Sequence, residues 1–444
     1  MKQKITTITL TIIAALVPVL MLPLIITNST YFLKLWTMYI CGAILFISLI
    51  INYKKIKTDK KDILLYIFLG LLFISTCLSS DIKISIFGFN YRHEGLLMFL
   101  IYGCIYLCTK NFYTIENYKE VLNLFFYIYL AIGILGITER YVDYFVLYPI
   151  FSKGISSTFG NPNFFGSFMC IVLPISICIH IFNGNKKAFI LSIVMFFNVI
   201  SAATRSAWVA MFCVIVGIII YLIKTKKKVE FKRFFILFIC FALIGIYLFG
   251  GFNFIKNKIY KAPESEKKVV SQVDRKTEQM KTEFEKAKET KGINKFGSSR
   301  IELWTHAIRV IKGAPIFGCG PDNLNNGIAK YSFEDREYEE YIKIKYIDKA
   351  HNEYLQIAAT CGIPALIVYL AFLCAIIFSK SKIVFKDKAV FMIGLAICSY
   401  LTQAFFNISV IAVAPLFWML LGLIDNKEMI EILNRGVEVE KENN

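Results

Sequence analysis

AFILSIVMFFNVISAATRSAWVAMFCVIVGIIIYLI, residues 188–223, decides the fold class. Drawn as one helix, this apolar segment would run about 54 Å, nearly twice the roughly 30 Å hydrocarbon core of a bilayer. One charge, Arg205, interrupts it near the centre. The segment is therefore two spans that turn at Arg205. A guanidinium there either snorkels to the headgroups or faces a cavity or partner, because lipid exposure costs about several kcal/mol. The near-absent loop and the flanking Thr204 and Ser206 favour the cavity.

The same pattern extends in both directions. The chain is 57% hydrophobic with mean hydropathy +0.58, which excludes a soluble globular protein. The expected fold is an all-α polytopic membrane protein with about twelve transmembrane helices and one large helical loop outside. The expected spans are 5–26, 31–51, 63–80, 95–109, 120–138, 164–183, 188–204, 207–223, 234–251, 356–379, 389–406 and 409–424. The first follows Met1-Lys-Gln-Lys4 without a small-residue cleavage site and reads as an uncleaved span.

A net charge of +18 could suggest nucleic acid, but the basic residues bunch in short connectors between apolar runs. With the N-terminus inside and alternating spans, about 24 basic residues fall inside and about five in the short outer connectors. Both termini are thus expected in the cytoplasm, with 252–353 outside the cytoplasmic membrane. The partners expected are membrane lipids and no nucleic acid. Nearly all of the 12 cysteines lie in apolar runs, Cys319 being the clear exception, and their spacing suits neither disulfides nor a metal.

The chain divides accordingly into spans one to nine (1–251), an extracytoplasmic loop domain (252–353), spans ten to twelve (354–424) and a cytoplasmic tail (425–444). Within the loop, residues 264–291 carry Val270, Val273, Thr277, Met280, Phe284 and Ala287 at helical spacing among Glu and Lys, an amphipathic surface helix. The part from 297 to 353 is the expected catalytic part. Ser299-Arg-Ile-Glu302 is a capping box, Ile301, Trp304, Ile308 and Ile311 form one apolar face, and Gly313-Ala-Pro315 ends the helix. Arg300 then sits in a first turn, where unpaired amides favour an anion and a guanidinium adds a bidentate fork. Gly318-Cys-Gly320-Pro321 reads as a tight exposed turn, with a phosphate cradle as the lesser alternative.

His351 precedes the tenth span, with Asn352 a plausible N-cap. The helix dipole disfavours its protonated form, as a general base requires. His306 and His180 read as packing residues, and His93 as able to line the same cavity. Gly88-Phe-Asn-Tyr-Arg92-His-Glu-Gly95 and Ser156-Ser-Thr-Phe-Gly-Asn-Pro-Asn163 lie in outer connectors, with Asn163 expected to cap the sixth span. Asn, Ser and aromatic groups there suit sugar hydroxyls and ring faces as well as ordinary turns. No Asp-x-Asp pair, His/carboxylate cluster or phosphate-binding loop motif is evident, so neither metal nor cofactor is expected. Arginines and a histidine at the lipid boundary suit a lipid-linked pyrophosphate whose departure is stabilised by arginines.

Taken in order, Ser157-Thr-Phe-Gly-Asn-Pro-Asn163, Thr204-Arg-Ser-Ala-Trp208, Gly297-Ser-Ser-Arg-Ile-Glu-Leu-Trp304, Gly318-Cys-Gly320, His351-Asn-Glu-Tyr-Leu355 and Cys361-Gly-Ile363 resemble the O-antigen ligase and O-antigen polymerase family of bacterial membrane glycosyltransferases. The resemblance covers nearly the whole chain. It implies a GT-C-like fold and metal-independent transfer of a glycan from an undecaprenyl-pyrophosphate carrier to an acceptor hydroxyl on a glycan or lipid-glycan. By match, Arg205 and Arg300 would hold the pyrophosphate and His351 would activate or orient the acceptor. Arg92, Asn161, Asn163, Trp304, Asn352 and Tyr354 are the expected substrate-binding side chains. The alternative, a transporter for a lipid-linked glycan or another solute, would carry polar sites near the midplane and often an internal repeat. Neither is evident.

Overall fold

The computed structural model describes residues 2–21, 31–90, 92–141, 154–251, 300–333 and 347–442. The charged 264–291 segment and the Gly297–Ser299 run, with its expected serine cap, lie outside them. All regular structure among the described residues is helical. In chain order the α-helices are α1 (Lys2–Leu16), α2 (Phe32–Ile51), α3 (Lys60–Cys77), α4 (Ile82–Phe87), α5 (Leu96–Phe112), α6 (Tyr118–Tyr141), α7 (Pro162–Asn183), α8 (Lys186–Ser201), α9 (Arg205–Thr225) and α10 (Lys228–Ile246). They continue with α11 (Arg300–Gly313), α12 (Leu324–Tyr331), α13 (Glu353–Cys361), α14 (Ile363–Ser379), α15 (Lys388–Ala404), α16 (Ala414–Leu423) and α17 (Lys427–Glu442).

Each expected span overlaps a helix of this series, and the tenth overlaps two. Among the described residues, five stretches are long and apolar enough to cross a membrane: Phe32–Ile51, Tyr118–Tyr141, Pro162–Asn183, Arg205–Thr225 and Lys228–Phe249. The turn anticipated at Arg205 falls between α8 and α9, where Ala203 takes a left-handed φ of 54°. Trp208 Nε1 donates to the Val199 carbonyl at 3.0 Å and closes it.

Three spans differ from expectation: the first, read over 5–26, is helical among the described residues only as α1, with 17–21 outside the helix. The tenth, read as continuous over 356–379, breaks at Gly362 into α13 and α14. Gly362 has φ +93°, and a Cβ there would lie 2.0 Å from the Ile316 carbonyl oxygen. Pro364 has no amide to extend α13, and the chain restarts with Ile363 donating to the Pro315 carbonyl at 2.8 Å. The twelfth, expected over 409–424, is helical only as α16, which is about 15 Å long. Its approach is irregular but enclosed, with Asn407, Ile408 and Val410–Val413 buried. Asn407 Nδ2 donates to the Asn163 carbonyl at 3.0 Å and to Ser167 Oγ at 2.9 Å. Irregular backbone at membrane depth is tolerated where protein surrounds it.

One continuous core joins the bundle. α15 packs on α7 and α9, α16 on α5, and α14 on α3. α7 is the central helix and is buried almost throughout. A second, smaller core joins α11, α12 and α13 through Leu303, Ala307, Val310, Leu324 and Ile328. It holds α11 over one end of the bundle. At one end Lys110 Nζ pairs with Asp62 at 2.7 Å and Asp59 at 3.1 Å, Lys61 and Lys380 meet Asp425, and Lys388 meets Glu230. The opposite end gathers residues 88–95, 154–163, 202–205, α11 and 347–352.

Candidate active site

Arg205 opens α9 and Arg300 opens α11 as described. Arg205 is exposed and Arg300 partly buried. The two guanidinium groups are near enough to interact. Burial and the positive charge of Arg205 hold the Arg300 pKa below its ordinary value. Neither arginine has a carboxylate partner among the described residues. Two like charges on separate helices, apposed and unneutralised, form a site for an anion.

A third arginine lies alongside. Arg92 Nε donates to Asp348 Oδ2, and its guanidinium sits 5.5 Å from the centre of the Phe164 ring. Despite burial, Asp348 raises its pKa. This pair ties the 88–95 connector to the turn carrying His351. Arg92 and Arg300 both act on His351, so all four side chains belong to one electrostatic unit. The imidazole is partly buried. Burial lowers its pKa to about 4; Asp348 opposes that, and the Arg92, Arg300 and Lys349 charges add to it. The neutral form expected from a helix dipole is present, with burial and cations as its causes.

Asn352 caps α13 as expected, its Oδ1 accepting from the Leu355 amide at 3.0 Å. The sixth-span cap shifts by two residues: Asn161, not Asn163, is the N-cap of α7, accepting from the Asn163 amide at 2.8 Å. Pro162 explains the shift, since proline favours the first helical position and residue 161 then takes the extended cap conformation. The Asn163 side chain remains open beside Phe164. Tyr354 donates its hydroxyl to the Leu401 carbonyl at 2.9 Å, and Trp304 packs edge-on against Phe405 at 5.7 Å. The Trp304 Nε1 is buried without a partner among the described residues.

The Gly318-Cys-Gly-Pro turn corrects a second expectation. It is packed inward, not exposed. The Cys319 and Gly320 amides donate to the Ala359 and Thr360 carbonyls at 3.2 and 2.8 Å, so they are unavailable to a phosphate. A Cβ on Gly320 would meet Ser79 and Ser85 Oγ at 2.3 Å, which is why glycine stands there. His306 is structural as read, with Nδ1 2.7 Å from Ser332 Oγ, and His180 lies against Phe189 at the opposite end.

Several residues escaped the sequence reading. Lys349 is 3% exposed, with Nζ 2.6 Å from Asp322 Oδ1 and 3.4 Å from Glu94 Oε2. Asp322 Oδ2 also accepts the Phe89 and Glu94 amides at 2.7 and 3.2 Å, and Glu94 accepts from Ser409 and Tyr102. Glu353 accepts from the Tyr369 and Tyr400 hydroxyls. These carboxylates do cluster, which spacing could not show; no group among the described residues is arranged to hold a metal ion. Lys34 is buried in α2 and donates to the Pro18 and Thr158 carbonyls at 3.2 and 3.0 Å, fixing the 156–159 connector. A lysine inside an apolar run was the available signal for it. Of six non-glycine residues with positive φ, five stand at this end: His93, Ser157, Ala203, Asp322 and His351. Such strain persists only where surroundings over-determine it, as at functional sites.

Residues 190–370 match the family model described as O-antigen ligase. This interval includes Arg205, Arg300 and His351. Over 357 residues the chain is 25% identical to a ComP-specific O-oligosaccharyltransferase of Acinetobacter baylyi (strain ATCC 33305 / BD413 / ADP1), covering 72% of this chain. The chain spans 58% of that relative's length. Through the segment that holds its arginines and histidine, this chain is similar to the O-antigen ligase family.

Proposed function

We propose that this protein transfers a glycan from an undecaprenyl-pyrophosphate carrier to an acceptor hydroxyl at the outer face of the cytoplasmic membrane, without a metal ion. The observation that carries the reading is the apposition of unpaired Arg205 and Arg300 beside a neutral His351. In this reading the two arginines, with Arg92, hold the pyrophosphate. The acceptor oxygen attacks the anomeric carbon as the glycosyl–phosphate bond breaks. The electron pair leaves with undecaprenyl pyrophosphate, and the hydroxyl proton passes to His351. Arginines aimed at the charge growing on the leaving group lower the barrier more than the proton transfer does.

A histidine with a pKa near 4 is a weak base at neutral pH, which the bound donor would remedy. Pyrophosphate charge offsets Arg300 and Arg92, and the imidazole becomes more basic once the donor is seated. Asn163 and the aromatic group of Trp304, Tyr354 and Phe405 are assigned to the sugars. Asn161 and Asn352 act through the caps they form. The site end of the bundle is assigned to the outside and the Lys110 end to the cytoplasm, with both termini. The division into spans 1–251, loop 252–353, spans 354–424 and tail 425–444 follows that orientation.

Support for glycan transfer as the coarse activity comes from the family match and from the transferase named in the relative. The test is glycan transfer in proteoliposomes supplied with a lipid-pyrophosphate donor and excess EDTA. Arg205→Ala, Arg300→Ala and His351→Ala should each abolish transfer while the protein inserts normally. Activity retained in all three sinks the reading. Deleting the protein and sizing the surface glycan separates the two acceptor types: a lost length ladder means a polymerase, and full-length chains left on the carrier mean a ligase.

A further inference from the structure

We propose that Lys349 is a positioning residue for His351: anchored by Asp322 and Glu94, it locks the 347–352 turn in its left-handed form and sets a fixed positive charge behind the imidazole. The inference rests on His351 being the reacting base.

The turn is tied residue by residue. Asp348 is held by Arg92, and Lys349 is held by Asp322 at 2.6 Å and Glu94 at 3.4 Å. The Ala350 amide donates to Gln356 Oε1 at 2.8 Å, and Asn352 caps α13. His351 alone between 348 and 352 has no hydrogen bond among the described residues. With its neighbours fixed on both sides, it takes φ +50°, an uncommon left-handed conformation that the fixed neighbours hold in place. The constraint originates in Lys349, because a buried ammonium cannot leave its carboxylates without a large desolvation penalty. Asp322 carries its own left-handed φ of 58° and joins the lysine to the amides of the 88–94 connector. One cation thus joins the turn to two other outer segments.

The same cation acts through space. The charged groups facing His351 are Asp348 and Lys349 from its own turn, Arg92 from the 88–95 connector and Arg300 from α11. Those facing Lys349 are Asp322, Glu94 and Arg92. Removing Lys349 removes a positive charge and should raise the His351 pKa. Removing the Asp322 charge leaves Lys349 less neutralised and should not raise it. Loosening the turn would expose the imidazole and raise the pKa in either variant.

The experiment follows diethyl pyrocarbonate modification of His351 against pH by peptide mass spectrometry, on the full chain in lipid nanodiscs. Lys349→Met should move the half-reaction point upward by about one pH unit. Lys349→Arg should stay near the wild type, and Asp322→Asn should show no upward shift. Asparagine tolerates the left-handed backbone, and its side-chain oxygen still accepts from the Lys349 ammonium, which Glu94 also holds, so that variant lowers the charge while keeping the turn tied. If Lys349→Met does not fold, Asp322→Asn decides by itself: no upward shift supports the inference, and an upward shift overturns it. An unshifted Lys349→Met, or upward shifts in both variants, also overturns it. The functional reading fails separately, through transfer retained in His351→Ala, which the modification curve does not measure.

Discussion

The two ends of the helix bundle both pair cations with carboxylates, but only one leaves two apposed arginines open. At the Lys110 end, cations meet carboxylates directly: Lys110 with Asp62 and Asp59, Lys61 and Lys380 with Asp425, and Lys388 with Glu230. Among the described residues Lys226 is the one non-glycine residue with positive φ there, at the ordinary position of a helix C-cap. At the other end Arg205 and Arg300 face each other unneutralised, and five strained residues surround them. Charge at the first end is consumed by the fold. At the second, Arg92 and Lys349 are paired in the same way, whereas Arg205 and Arg300 have no carboxylate among the described residues, and their repulsion costs stability.

Substitutions that separate activity from stability test this contrast. The largest effect is expected at Arg300. Arg300→Met should reduce transfer by about 10²–10³-fold, the loss typical of one preorganised electrostatic donor. It should leave the melting temperature unchanged or slightly higher, because it relieves the repulsion from Arg205. A large drop in melting temperature would place Arg300 among the structural charges.

His351→Asn comes next, with transfer lowered by about 10²–10⁴-fold and the left-handed turn preserved. Its pH behaviour has a definite sign. The pKa of His351 is depressed in the fold from 6.5 to about 4, so between those values the unfolded chain takes up a proton that the folded chain refuses. Stability from this residue is lost as pH falls across that window. The asparagine variant should therefore melt less steeply on acidification than the wild type. In the wild type, kcat/KM should stay flat from pH 7 to about 5 and fall towards 4. A bell centred on pH 6.5 would contradict the burial and the cations around the ring.

The converse substitution belongs to the other end. Lys110→Met leaves the buried Asp62 without its cation and should cost about 3 kcal/mol, read as a lowered melting temperature. Transfer per folded molecule should be unchanged. The smallest effect is expected for Trp304→Phe. It removes an indole N–H that has no partner among the described residues while keeping an aromatic face against Phe405, so stability should change by less than about 0.5 kcal/mol. A raised KM for the acceptor with stability intact would show that this N–H meets a sugar.

Much of this contrast was legible in the sequence. The 188–223 run is too long for one span and too apolar for anything else, so the turn before Arg205 followed from length and transfer free energy. The places of Arg300 at a helix start and of His351 just before a helix were legible because a capping pattern and the onset of an apolar run each mark such a boundary. Asn161 as the cap was missed by two residues, since Asn161 and Asn163 are chemically equal candidates and only the backbone geometry around Pro162 separates them. The break at Gly362 was missed because hydropathy averages over a glycine. The backbone of Ile316 forbids a Cβ there, and it comes from a segment over 40 residues away in sequence.

By itself, then, the sequence determined a helical membrane chain, the order of its apolar helices and the cationic character of one set of connectors. Periodicity and hydropathy are local, so they can be read along the chain. Only the tertiary structure decided which charges are consumed and which stay open. Lys349 reaches Glu94 across 255 positions and Asp322 across 27, whereas Arg205 and Arg300 come together with no carboxylate between them. Whether a cation is neutralised depends on what lies within about 4 Å of it, and spacing along a chain does not fix that distance.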